Sequence, residues 1–167
     1  MNLIVYPSGF ADWNGQHYQC ALGAGGTADQ KQEGDHVTPA GKFLLRRVFF
    51  RSDRIERPHT LLPVSALTRR DGWSDDPDDF RYNQQITLPY SGSHELLWRI
   101  DAVYDLVAVV GYNDRPVVPG CGSAIFLHIA NPDYGATEGC IAFALSDFSR
   151  ILNEWEETST LDIRTET

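Results

Sequence analysis

Cysteine is scarce, positive charge is outnumbered, and no long apolar run is present; each absence removes a class of protein. The 167 residues hold three cysteines, Cys20, Cys121 and Cys140. An odd set without C-x-x-C spacing supports neither a disulfide framework nor a standard four-ligand zinc module, and it leaves at least one thiol free. Lys and Arg together number 14 against 23 Asp and Glu, a net charge of −9. The compact basic spots are Arg46-Arg47 and Arg69-Arg70, too little to hold a phosphate backbone, so no nucleic-acid partner is expected. No apolar segment approaches membrane-span length. The N-terminal "MNLIVYPSGF" lacks a basic start, and Leu3 to Tyr6 is too short for the apolar core of a signal peptide. No export signal is therefore expected, and Met1 ahead of a strand reads as a native start. The glycine-rich "LGAGGTADQKQEGD" (Leu22 to Asp35) lacks the G-x-x-x-x-G-K-[ST] pattern and a following helix, which argues against a phosphate loop. Repeats, low-complexity tracts and linkers are missing as well. One domain over residues 1–167, long enough to bury a core, is the expectation.

What is present is a period of two. Apolar runs broken by Gly, Pro, Asn and Asp predict strands at Asn2–Tyr6, His17–Leu22, Gly41–Arg51, Gln85–Pro89, Glu95–Ile100, Leu106–Tyr112, Ser123–Ala130, Cys140–Phe143 and Thr160–Ile163. Thr60–Leu67 is ambiguous. Asn14-Gly15 and Ser91-Gly92 each read as the turn of a hairpin. One short amphipathic helix follows Cys140. Ser146 is its expected N-cap, Asp147 favours its first turn, and Leu145, Phe148, Ile151, Leu152 and Trp155 form its apolar stripe. The acidic segment from Arg69 to Gln85 reads either as a functional loop or as a solvated insertion held down by Trp73 and Phe80. The fold class is mostly β.

The chemistry concentrates in "FLHIANPDYGATEGC" (Phe126 to Cys140). A thiol attacks carbonyl carbon as thiolate, and a histidine within reach is the base that takes its proton. If the two strands are neighbours, the intervening loop returns the chain so that Cys140 faces His128. Gly139 lets backbone N–H groups approach a substrate carbonyl, the natural oxyanion hole for acyl transfer. Two other readings stay open at this point. His128 and Cys140 are ordinary residues of a buried sheet, or they join Cys121 and Glu138 around a zinc ion of non-standard spacing.

Four stretches in order resemble the L,D-transpeptidase catalytic domain family, the YkuD type. They are "HVTPAGKF" (His36 to Phe43), "ELLWRIDAVYDLVAVVGYN" (Glu95 to Asn113), "GYNDRPVVPGCGSAIFLHI" (Gly111 to Ile129) and "TEGC" (Thr137 to Cys140). The resemblance implies a mostly β fold with mixed sheets, no metal and no cofactor. It implies Cys140 as nucleophile, His128 as base, and the N–H groups of Gly139 and Cys140 as oxyanion donors; a backbone carbonyl suffices to orient the imidazole. The substrates implied are peptidoglycan stem peptides, with D-alanine leaving and an amine or water accepting the acyl group. Such work belongs to the cell envelope or periplasm, so a chain without an export signal implies a non-standard route or a cytoplasmic substrate. Two departures stand out. Glu138 replaces the usual histidine, and Ala142 replaces an arginine two residues after the cysteine. Glu138 is expected to point away from the thiol or to bind a substrate ammonium, and Arg99 is the candidate to replace the lost cation. The His128–Cys140 loop is also shorter than is usual. Tyr112, Ser123 and Thr137 complete the expected substrate contacts. Cys121 is an inert thiol or a disulfide partner for Cys140, and His36, His59 and His94 are surface or loop residues. Hydrolysis by the same pair (an L,D-carboxypeptidase or peptidoglycan amidase) and a non-catalytic peptidoglycan-binding role are the alternatives.

Overall fold

A computed structural model describes residues 1–166. Alternating apolar residues between turn formers yield strands β1 (Asn2–Tyr6), β2 (Phe10–Trp13), β3 (Gln16–Ala21), β4 (Thr27–Ala28), β5 (Thr38–Pro39), β6 (Gly41–Phe43), β7 (Leu45–Phe50), β8 (Val64–Ala66), β9 (Asp71–Ser74), β10 (Gln85–Thr87), β11 (His94–Leu96), β12 (Leu106–Val110), β13 (Phe126–Ile129) and β14 (Ile141–Phe143). Helix α1 (Leu145–Asn153) and strand β15 (Thr160–Ile163) follow. One large mixed sheet has the order β6-β15-β1-β2-β3-β14-β13-β12-β7-β8. The expected mostly β class with a single helix after Cys140 is what forms.

Several local expectations change. Asn14 and Gly15 adopt φ of 54° and 78°, the mirror-image turn that a two-residue hairpin between β2 and β3 requires. The other turn, at Ser91-Gly92, closes no hairpin, because β10 and β11 both pair with β9, on its two sides. The run Gly41–Arg51 is two strands, not one. β6 pairs with β15 at one edge, while β7 lies between β12 and β8 near the other; the exposed Leu44 between them gives its carbonyl to the Gly111 N–H. The ambiguous segment supplies β8, parallel to β7. Ser146 does not cap α1. Ala144 holds that position without a side-chain bond, because the chain passes straight from β14 into the helix.

The acidic segment is anchored to the fold, although Pro77, Asp78, Phe80 and Arg81 stay exposed. It forms β9 and runs into β10, with Trp73 buried edge-on against Phe126 at 5.1 Å, whereas Phe80 is 90% exposed and holds nothing. The buried Asn83, at φ 56°, fastens it. Its Oδ1 accepts from the Trp73 Nε1–H and the Ala124 N–H at 3.0 Å each, and its Nδ2 donates to the carbonyls of Tyr112 and Asn113 at 3.0 and 2.8 Å. Asn83→Ala orphans two buried donors and is expected to cost about 2–4 kcal/mol in denaturant unfolding, more than a surface truncation.

Strand periodicity splits the core in two. Leu127, Ile129, Ile141 and Phe143 share one cluster with Phe148, Ile151 and Leu152 of α1. Trp155 lies past the helix end and stacks on Trp13 at 5.3 Å. Phe126 and Cys140 join a second cluster with Trp73 and Tyr104. The helix therefore braces one face of β13 and β14 and leaves the other for chemistry.

Candidate active site

β13 and β14 are parallel neighbours, with His128 opposite Ala142. Cys140 stands two residues before Ala142, so a period of two brings it to the face that carries His128. Both side chains line one cleft of about 480 Å³, together with Ala142, Ser123, Thr137, Glu138 and Arg99.

His128 is buried, and its Nδ1 lies 2.9 Å from the Ile129 carbonyl. A carbonyl only accepts, so Nδ1 carries the hydrogen and Nε2 keeps its lone pair. Burial lowers the imidazole pKa below its ordinary value, aided by the Arg99 charge and opposed by the Ile129 bond. The ring is a neutral base oriented by backbone. Cys140 is buried too. Its Sγ donates to the Ala124 carbonyl at 3.2 Å and accepts from the Phe126 N–H at 3.4 Å. Among the described residues no hydrogen bond joins it to His128. Burial first, then the charge of Glu95, pushes the thiol up to about 12, against the Phe126 bond and the charge of Lys31; Glu138 adds a smaller push. At rest the pair is a neutral thiol beside a neutral imidazole.

The turn before the nucleophile explains its residue types. Gly139 has φ 135°, and a Cβ there would stand 2.8 Å from the Val37 carbonyl oxygen, so only glycine fits. Thr137 Oγ1 donates to the Cys140 carbonyl at 2.6 Å and accepts the Gly139 N–H at 3.1 Å. Thr137 therefore braces the turn, and its hydroxyl engages one of the two expected oxyanion donors. Among the described residues the Cys140 N–H makes no hydrogen bond and remains available.

Other expected residues divide. Ser123 lines the cleft and donates to Glu33 Oε2 at 2.8 Å. Glu138 is exposed on the lip. Arg99 lines the cleft, but its guanidinium grips Asp101 through two bonds of 2.8 and 2.6 Å and lies over Tyr104. Tyr112 is not among the cleft residues; its hydroxyl donates to the Cys121 carbonyl at 2.5 Å and its ring packs on Phe43. Cys20, Cys121 and Cys140 are all free. Cys121 does not line the cleft, and among the described residues no three His, Cys, Asp or Glu converge on an ion position. His59 is exposed, His94 turns its Nδ1 to the Gly92 carbonyl, and His36 stands exposed on the cleft rim.

Three cleft residues escaped the sequence. Glu95 of β11 hydrogen-bonds the Tyr104 hydroxyl, and the Tyr104 ring meets the His128 ring edge-on at 5.3 Å. Burial raises the Glu95 carboxyl to about 7, against the Tyr104 bond and the Arg99 charge. Its local signal was a single carboxylate entering the apolar run "HELLW". Lys31 is the third, with a side chain 4% exposed, and nothing around it in the sequence marks it.

The catalytic-domain model of the L,D-transpeptidases, YkuD, matches residues 9–163. Among solved structures, the chain is similar to the crystal structure of the helical cell shape determining protein Pgp2 from Campylobacter jejuni. The identity is 14% and the TM-score 0.48, over 99% of this chain and 48% of that one, so this chain spans about half its length. No curated protein matches.

Proposed function

Since the chain belongs to the L,D-transpeptidase (YkuD) catalytic-domain family, we propose that it is a cysteine acyltransferase acting on peptidoglycan stem peptides. The observation that carries this reading is the placement of Cys140 and a neutral, backbone-oriented His128 on one face of a parallel strand pair, opening into one cleft. His128 Nε2 takes the Sγ proton as Sγ bonds to the scissile carbonyl carbon. The oxyanion meets the Cys140 N–H. Collapse of the adduct breaks the C–N bond, and the leaving D-alanine amine receives the proton back from His128, leaving a thioester. An acceptor amine then attacks the thioester and Cys140 leaves reprotonated, so no outside energy source enters. Exposed Glu138 suits a substrate ammonium and Arg99, Ser123 and the wall near them the peptide's polar groups. Stem peptides place this work in the cell envelope.

A second reading, hydrolysis as an L,D-carboxypeptidase or amidase, has its own support in Ala142, which adds no cation to hold an acceptor's carboxylate. Incubation with disaccharide tetrapeptide separates the outcomes. Released D-alanine with cross-linked dimer or exchanged D-amino acid is expected for transfer. Tripeptide alone, with acceptor amine abundant, selects hydrolysis. No product, together with stem-peptide binding, leaves only a binding role and sinks both.

A further inference from the structure

The cleft contains a thiol that must ionise, carboxylates that oppose it, and Ala142, which brings no charge. A cation reaches it from elsewhere. Residues 23–38 form a strap closed by the short β4–β5 ladder, in which the Gly23 N–H donates to Thr38 Oγ1 at 2.8 Å. The strap is stapled to the opposite loop. The Glu33 N–H donates to the Gly120 carbonyl at 2.8 Å, and Glu33 Oε2 accepts from the Tyr82 hydroxyl at 2.5 Å and from Ser123. Two residues before this staple Lys31 turns inward, its side chain 4% exposed. Its stem crosses Gly122, where a Cβ would stand 2.8 Å from its Cε, and its Nζ lies 3.4 Å from the Cβ position of Gly139. Two glycines on separate loops thus leave the channel that one lysine fills. Asp35 aims the ammonium: Oδ1 accepts from Nζ at 2.8 Å and from the Val37 N–H at 2.9 Å, and Oδ2 from the Gln32 N–H at 2.7 Å.

We propose that Lys31 supplies the fixed positive charge that lets Cys140 ionise. This inference rests on Cys140 being the nucleophile. A buried ammonium, hydrogen-bonded to a carboxylate that two backbone N–H groups hold in place, acts through low-dielectric surroundings, where an opposite charge near a thiolate counts for more than in water. The groups that face Cys140 are Glu95 from β11, Tyr104 ahead of β12, His128 from β13 and Glu138 from the turn. Lys31 favours the thiolate, against Glu95 and Glu138, while Arg99 on the same cleft is gripped by Asp101. Lys31 acts on the thiol as an electrostatic positioning residue.

The test is the rate of Cys140 alkylation by iodoacetamide at fixed neutral pH, read on the Cys140 peptide by mass. Lys31→Met is expected to slow it about tenfold and to slow carbapenem acylation at the same pH about tenfold. Lys31→Arg is expected to restore most of both. The double variant Lys31→Met, Asp35→Asn leaves no unpaired carboxylate and should show the same direction of change if the single variant folds poorly. A rate that stays at the parent's, whether or not the melting temperature falls, overturns the proposal, as does failure of both variants to fold, since Lys31 would then be a brace for the strap. A parent that no carbapenem acylates defeats the transpeptidase reading, yet the alkylation rate still decides the role of Lys31.

Discussion

Cys140→Ala yields no acyl-enzyme: a carbapenem that adds one equivalent of mass to the parent adds none to the variant, and turnover of tetrapeptide falls by at least about 10⁴-fold. Among the described residues no other hydroxyl or thiol in the cleft is free to take over. Ser123 lines the same cleft, but its Oγ is committed to Glu33, and the Tyr104 hydroxyl to Glu95. Thr137 Oγ1 donates into the turn. Cys20 and Cys121 do not line the cleft. Stability should change little, by about 1 kcal/mol, because alanine loses one sulfur from a buried site and the two backbone groups it touched lose only weak sulfur bonds. The combination matters. A variant that is folded, unlabelled and inactive identifies a nucleophile, whereas a parent that also stays unlabelled leaves Cys140 as a core residue.

The sequence was most informative where local pattern decides the outcome. Two short apolar runs flanking a turn-rich loop become β13 and β14, and period two alone puts His128 and Cys140 on one face once the strands are neighbours. The stripe of α1 is local in the same way. Where a distant partner decides, local pattern misleads. Nothing within Gly41–Arg51 says that its two halves join opposite ends of a ten-stranded sheet, and Ser91-Gly92 has hairpin chemistry but flanks strands that both prefer β9. Charge followed the same rule. Chain adjacency points to Glu138 as the carboxylate opposing the thiol, yet it is exposed on the cleft lip and adds only the smaller push. The carboxylate that presses harder on the thiol is Glu95, which arrives from β11 through the small sheet. A site's residue types are written along the chain; the field around them is assembled by tertiary contacts.

That field has a measurable consequence at His128. His128→Gln removes the base and is expected to slow Cys140 acylation by about 10²–10⁴-fold, because proton transfer from a thiol held near 12 then falls to water. It also changes how stability depends on pH. The imidazole is lowered from 6.5 by burial, so below 6.5 the unfolded chain binds more protons, and His128 makes the fold lose stability as pH falls. Glu95 has the opposite sign. Its carboxyl rises from 4.5 to about 7, so between those values the folded chain holds the extra proton and stability drops as pH rises. The two slopes oppose each other just below 6.5. Asp35, Asp79 and Asp101 are lowered from 3.8 and act only in stronger acid. His128→Gln therefore exposes the Glu95 slope: urea midpoints of the variant should decline from pH 5 to pH 7 more steeply than those of the parent. A variant whose midpoints instead climb more steeply than the parent's would mean that His128 is charged in the fold, and a charged imidazole cannot take the Cys140 proton.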